Sequence, residues 1–198
     1  MSISQSGPWE YHGNIKSSNV LFDKSGNSCI SDFGLVVLIS PTSAASRDVG
    51  YRAPEQAETR KISQKVDVYS FGVLLLEILT GKAPIQLNTP DESIDLPKWV
   101  QSVVREEWKA GVFDLELMRY NKIKEEMVGM LQISMVCVSV SPEKRPKMSH
   151  VVKMIFNTVH LRPEIDEVNI HGFFLLSDIR DEDRLSLGMK QKILYKWV

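Results

Sequence analysis

Five short motifs carry the polar side chains that could do chemistry in this chain. In chain order they are His12–Asn19, Asp32–Gly34, Ala53–Glu55, Asp67–Gly72 and Arg145–Pro146. Asp and Asn side chains such as those of Asp32 and Asn19 often only cap turns, so neither residue identifies a functional site alone. The order and spacing of the five motifs together are the stronger signal.

This series of motifs resembles the protein kinase family, whose C-terminal lobe carries H-R-D-L-x-x-x-N, D-F-G and A-P-E in the same order. Three stretches have sequences typical of plant leucine-rich-repeat receptor-like kinases: Gly50–Glu55, Asp67–Leu79 and Leu96–Val100. The resemblance covers residues 12–161. It implies phosphoryl transfer from ATP as the ancestral activity.

The resemblance also implies roles for individual positions. Asn19 and Asp32 match the two residues that hold magnesium in the family, and therefore form its cofactor site. Lys16 matches the loop lysine that faces the transferred phosphate. Phosphoryl transfer is catalysed by positioning and by neutralising phosphate charge, which is why such residues are needed.

Asn14 departs from the family pattern at the position of the catalytic base, which is an aspartate in active members. An amide cannot accept the substrate hydroxyl proton near neutral pH. A positioned base contributes ~10²–10⁴-fold in rate, or roughly 3–5 kcal/mol of barrier. Asn14 is thus a degenerate base position, although an amide that only orients the hydroxyl in a slow enzyme stays open as an alternative.

Gly13 is a second departure, because the family has an arginine there that pairs with a phosphorylated activation loop. Glycine has no side chain for that pairing. The loop still offers four hydroxyls to another kinase, and these possible phosphosites are Ser40, Thr42, Ser43 and Ser46.

The third departure concerns the N-terminal lobe, which holds the Gly-rich loop and the V-A-I-K lysine in the family. Eleven residues precede His12, so we expect that lobe to be absent and ATP and magnesium to bind weakly or not at all. We then expect exposed apolar surface around Val20, Leu21 and Leu35, which is a partner site or a cause of self-association.

The predicted fold is mainly α: a protein-kinase-like C-terminal lobe with a short β-hairpin and no N-terminal lobe. Two β-prone runs around Asp23–Asn27 predict the hairpin. Val66–Leu79 is apolar on every side and predicts a buried helix that stops at Gly81. Amphipathic spacing predicts three later helices, which begin near Asp95, Ile123 and Met148.

Three further matched positions are predicted to be structural. Glu55 and Arg145 resemble the family's buried ion pair, which ties the activation segment to the last helices. Asp67 resembles the residue that braces the backbone of the catalytic loop.

The bulk composition limits the remaining possibilities. A formal net charge of -1 gives no reason to expect a nucleic-acid partner or a polybasic membrane anchor. The apolar run Val68–Leu79 is short of the ~20 residues that span a bilayer. Cys29 and Cys137 are far apart and are expected to be reduced, buried thiols. The chain as written is expected to be cytoplasmic, while the full-length family lies at the cytoplasmic face of the plasma membrane.

The predicted domain organisation is an atypical leader over 1–11, the kinase C-lobe over 12–161, and a weakly ordered extension over 162–198. The first functional hypothesis is a non-catalytic pseudokinase module that contacts other kinases or receptor complexes. The alternatives are a serine/threonine kinase whose gene model lacks N-terminal exons, and a non-functional gene fragment.

Overall fold

The computed structural model describes residues 11–24, 28–33, 49–59, 63–89, 92–106, 111–120 and 123–159. The described part is mainly helical, as predicted, with two small antiparallel sheets. The strands are β1 (Val20–Phe22), β2 (Ser28–Ile30), β3 (Ile85–Thr89) and β4 (Glu92–Asp95). The helices are α1 (Pro54–Thr59), α2 (Gln64–Thr80), α3 (Leu96–Glu106), α4 (Leu115–Met118), α5 (Lys124–Cys137) and α6 (Met148–Val159).

The predicted first hairpin is confirmed, with Val20 opposite Ile30 and Leu21 opposite Cys29. Side chains alternate across a strand, so Val20 lies inside while the cross-strand pair Leu21 and Cys29 lies outside. Two expectations are therefore wrong. Cys29 is exposed rather than buried, and Val20 is buried at 9% exposed, whereas its neighbour Leu21 is 50% exposed, as expected.

Helix α2 is the centre of the core, as its all-round apolar sequence predicts. Val73, Leu74, Leu75 and Leu76 are completely buried along it. The predicted stop at Gly81 is confirmed: Gly81 has φ 68, and its N–H donates to the carbonyl of Glu77. Left-handed backbone of this kind favours glycine because a Cβ would crowd the chain.

The other helices cover α2 from several sides. α5 approaches α2 at Gly72, where an added Cβ would lie 2.7 Å from Cys137 Cβ. α3 covers another side with Leu96 and Val100, and α6 packs behind α5. The three amphipathic helices predicted from sequence are thereby confirmed, and their apolar faces form one continuous core with α2.

Three elements were not predicted: α1, α4 and the hairpin of β3 and β4. The hairpin had a readable signal in the sequence, since Ile85 and Leu87 alternate with polar residues and are followed by Pro and Asp, residue types that favour turns. α1 has six residues and α4 has four, and helices so short depend on tertiary contacts rather than on periodicity.

Several predictions fall outside the described residues. These are the exposure of Leu35, the four possible phosphosites between 40 and 46, and the extension over 162–198. The three-part domain division stays a prediction. Within the described ranges, no helix is both long and apolar enough to cross a membrane.

Candidate functional site

The loop that follows His12 is held in place by Asp67, in the first turn of α2. One carboxylate oxygen accepts from the His12 N–H at 2.6 Å, and the other accepts from the Gly13 N–H at 2.7 Å. Asp67 is 7% exposed, and burial raises its pKa although both hydrogen bonds act in the opposite direction. Hydrogen bonds to a carboxylate are stronger than bonds between neutral groups. Asp67 therefore fixes the start of the loop to α2, the helix at the centre of the core.

Gly13 adopts φ 79, in the left-handed region. For an L-residue this backbone costs roughly 1–2 kcal/mol. The glycine therefore does more than remove the arginine side chain of the family pattern. It also permits a backbone that the Asp67 carboxylate then holds.

Asn14 and Asn19 are joined through the backbone of the loop. The Asn14 N–H donates to His12 Nδ1 at 3.2 Å, and Asn19 Nδ2 donates to the Asn14 carbonyl at 2.9 Å. The Asn19 carbonyl accepts from the Ser31 N–H at 2.8 Å, which links the loop to the residue before Asp32. The predicted base position and one predicted metal position thus belong to one hydrogen-bonded loop.

His12 connects this loop to the D-F-G segment. Its ring meets the Phe33 ring edge-on, with centroids 5.5 Å apart. Burial lowers the His12 pKa, against the opposing field of Asp67, and the accepting Nδ1 fits a neutral imidazole. Phe33 is 49% exposed, so this contact lies at the edge of the described body.

Asn19 and Asp32 fit a magnesium ion by their donor chemistry. Asn19 is buried and uses its amide nitrogen within the loop, which leaves the carbonyl oxygen as the ligand type that magnesium takes. Asp32 is exposed and has φ 66, a left-handed backbone that Asp tolerates better than most residues. Lys16 is half-buried in the same loop. The described residues hold no cluster of three or more His, Cys, Asp or Glu suited to a metal.

A half-buried network of Ser17, Tyr51 and Glu77 was missed by sequence reasoning. Ser17 Oγ lies 2.9 Å from the Tyr51 hydroxyl and donates to Glu77 Oε1 at 3.2 Å, while the Tyr51 hydroxyl donates to Glu77 Oε2. Burial raises the pKa of both Glu77 and Tyr51. The signal was Glu77 itself, a lone charge within the apolar run Val68–Leu79, because a buried charge needs partners.

Arg145 uses every hydrogen-bond donor of its side chain. It is 1% exposed, and its two terminal nitrogens donate to the two oxygens of Glu55 at 2.6 and 2.7 Å. The remaining three N–H groups reach backbone carbonyls, which belong to Ser139, Lys65 and Val140. All five donors of a guanidinium are therefore used.

This arrangement ties three segments together. Glu55 belongs to α1, Lys65 to the start of α2, and Ser139 and Val140 to the loop after α5. The Arg145 guanidinium also lies 4.9 Å from the centre of the Tyr69 ring, a cation–π distance. Partial burial raises the Glu55 pKa, but the hydrogen bonds to its carboxylate, chiefly that from Arg145, outweigh burial and lower the pKa below its usual value. Burial raises the Tyr69 pKa to about 12.

The family profile described as "Protein kinase domain" matches residues 11–157. The chain is similar to a probable leucine-rich repeat receptor-like protein kinase of Arabidopsis thaliana, at 62% identity over 146 residues, which are 73% of this chain and 22% of that protein. It is also similar to a receptor kinase of the same plant named as probably inactive, at 56% identity, covering 78% of this chain and 24% of that protein.

A solved structure of the pseudokinase domain of BIR2, an immune regulator of the RLK/Pelle family, resembles the fold. The TM-score is 0.62 at 30% sequence identity, over 77% of this chain and 48% of that one. The chain thus spans under half of the solved domain and about a quarter of each curated relative.

Proposed function

Because the chain belongs to the protein kinase family, we propose that it forms part of a receptor-like kinase that acts as a non-catalytic, protein-binding module in phosphorylation-linked signalling. The observation that carries this proposal is Asn14 at the position of the catalytic base. The described contacts of Asn14, to His12 and Asn19, are made by its backbone N–H and carbonyl, so they hold the loop in place and supply no proton acceptor.

The conformation of Gly13 supports the same function. The family arginine acts by pairing with a phosphorylated activation loop, and Gly13 has no side chain with which to pair. Its left-handed φ of 79 also makes a return to arginine costly. Loss of the base and loss of the phosphate-reading arginine are separate changes that both favour signalling by contact.

The scaffold itself is retained beneath the altered loop. Asp67 still braces the loop backbone, and Arg145 still anchors Glu55 through two short hydrogen bonds. A module that works through protein–protein contacts needs this ordered surface but needs no proton acceptor. Similarity to a receptor kinase named as inactive and to a solved pseudokinase domain agrees with this function.

A slow serine/threonine kinase is the second candidate, and it is favoured by three retained positions: Lys16, Asn19 and Asp32. When bound, magnesium would neutralise charge on the phosphates of ATP. Asn19 and Asp32 would hold it through oxygen atoms, and Lys16 would offer its charge to the transferred phosphate. Asn14 could then orient a hydroxyl by hydrogen bonding without accepting its proton.

Phosphoryl transfer separates the two candidates. We expect the purified 198-residue chain to transfer no phosphate from magnesium-ATP to a generic protein substrate, with the Asp32→Ala variant as the matched control. Turnover that disappears in Asp32→Ala would establish the kinase and reject the non-catalytic module. We also expect millimolar magnesium-ATP to raise the melting temperature by less than about 1 °C, since weak binding stabilises little; a rise of several degrees contradicts this.

The variant Asn14→Asp tests whether the base alone accounts for inactivity. We expect no recovery of phosphoryl transfer. Position 13 would still be glycine instead of arginine, and the 198 residues tested include no Gly-rich loop or V-A-I-K lysine. Transfer regained by that single change would mean that the base position is the whole deficit. By family membership, the full-length receptor would act at the cytoplasmic face of the plasma membrane.

A further inference from the structure

A groove of about 580 Å³ lies between α3 and the end of α5, away from the catalytic loop. Its lining has three apolar residues, Met135, Val136 and Val140, and four polar ones, Gln101, Ser139, Ser141 and Lys144. Val140 is 68% exposed and Val136 is 43% exposed. Open apolar side chains in a concave surface mark a place where another apolar segment packs.

The groove has basic residues around it. Lys144 lies at one edge and is exposed. On α3, Lys98 and Arg105 are three residues before and four residues after Gln101, so they share its helix face, and both are exposed. Lys98 is partly engaged by Asp95 at 3.6 Å, and Glu143 is the acidic neighbour of Lys144, so the excess charge beside the groove is positive.

The chain carries a segment with the matching chemistry beyond the family match, which ends at residue 157. Phe173–Leu176 is a run of four large apolar residues, and it is followed by a mostly acidic stretch. The acidic residues of that stretch are Asp178, Asp181, Glu182 and Asp183, against two arginines. We propose that residues 173–183 dock in cis into the groove between α3 and α5, with the apolar run in the groove and the acidic stretch beside Lys144 and Arg105.

The connecting chain can reach. α6 ends at Val159, and Thr158 lies against Gly129 in the first half of α5. Met135 is six residues further along α5, or about 9 Å at 1.5 Å per residue. The 13 residues between Val159 and Phe173 are enough to reach, since a chain of that length spans up to about 40 Å and a flexible linker of that length averages about 20 Å. A linker whose mean span is close to the required distance gives a high effective concentration.

Amide hydrogen exchange of the full chain at neutral pH tests the docking. We expect residues 173–178 to exchange at least tenfold more slowly than an unstructured peptide of that sequence. Val140→Asp should remove this protection, because it introduces a charge into the groove at a side chain that is 68% exposed; the unfolding midpoint of the variant checks that the folded body is intact. Phe174→Asp should also remove the protection, because it places a charge in the docking segment itself. This change lies outside the described folded body and should leave its stability unaffected.

The matched control is Leu115→Asp, which places the same charge on α4 at a side chain that is 81% exposed and outside the groove. Protection of residues 173–178 should persist in this variant. In the unmodified chain, protection should weaken severalfold in 1 M salt, because salt screens exposed charges. Unprotected residues 173–178 in the unmodified chain would overturn the proposal. Protection that survives Val140→Asp, or that rises with protein concentration as docking from a second copy would, also overturns it.

Discussion

Replacing Arg145 by lysine tests whether the planar guanidinium, rather than its charge, holds the last helices to α1. Lysine keeps the positive charge but offers three donors in place of five and cannot make a bidentate contact with a carboxylate. At least two of the five acceptors around Arg145 would then lose their partner. Each buried unsatisfied group costs about 1–3 kcal/mol.

The expected loss for Arg145→Lys is therefore roughly 2–6 kcal/mol in the free energy of unfolding. Arg145→Met removes all five donors and leaves Glu55, whose side chain is 23% exposed, without its cation. Truncating one partner of a buried ion pair costs about 3–5 kcal/mol. Since domains have only about 5–15 kcal/mol in total, Arg145→Met should be close to unfolded.

Urea unfolding at neutral pH, followed by tryptophan fluorescence, measures both losses. Trp99 packs against the core and should report its opening. With a slope of about 2 kcal/mol per molar urea, Arg145→Lys should lower the midpoint by about 1–3 M. The matched control is Lys147→Met, an exposed cation two residues away, which should stay within about 0.5 kcal/mol of the unmodified chain.

Two results would refute this reasoning. Arg145→Lys within about 0.5 kcal/mol of the unmodified chain would mean that charge alone holds the helices. In a double-mutant cycle with Glu55→Gln, the double variant should lose less than the sum of the two single losses, because neighbours that share a bond couple by about 0.5–3 kcal/mol. Strict additivity would mean that the two residues do not stabilise each other.

Three further predictions follow from other contacts. The Glu55 pKa is lowered from its usual 4.5, so the ionised carboxylate contributes fully to stability above pH 4.5 and progressively less below it. The difference in unfolding free energy between the unmodified chain and Glu55→Gln should therefore shrink as the pH falls. Urea unfolding from pH 6 to pH 3 measures this difference. Asp67→Ala should cost roughly 2–6 kcal/mol by leaving two backbone N–H groups without their acceptor, and amide exchange in residues 12–13 should accelerate. Gly72→Ala should cost about 1–3 kcal/mol by overpacking against α5, whereas Gly111→Ala, with nothing within 4 Å of an added Cβ, should leave the melting temperature unchanged.

Local features of the sequence carry most of the fold. The apolar run of α2 and the stop at Gly81 could be read directly, because burial on every side and a left-handed C-terminus each leave a signature within a few residues. α4, in contrast, has four residues and no such signature. Asn14 and Gly13 could also be identified, since the loss of a base or of an arginine is a property of one residue type at one position in a motif.

The pairs formed across long distances were fixed only by packing. The bonds of Ser17 with Tyr51 and Glu77 require the loop, the activation segment and α2 to meet, and the close contact at Gly72 determines how near α5 comes to α2. The three carbonyls around Arg145 are a further case, since backbone acceptors look alike in every sequence. The sequence by itself determined which residues need burial or a partner, because that depends on side-chain chemistry; only the tertiary structure decided which partner each one found, because that depends on where distant segments pack.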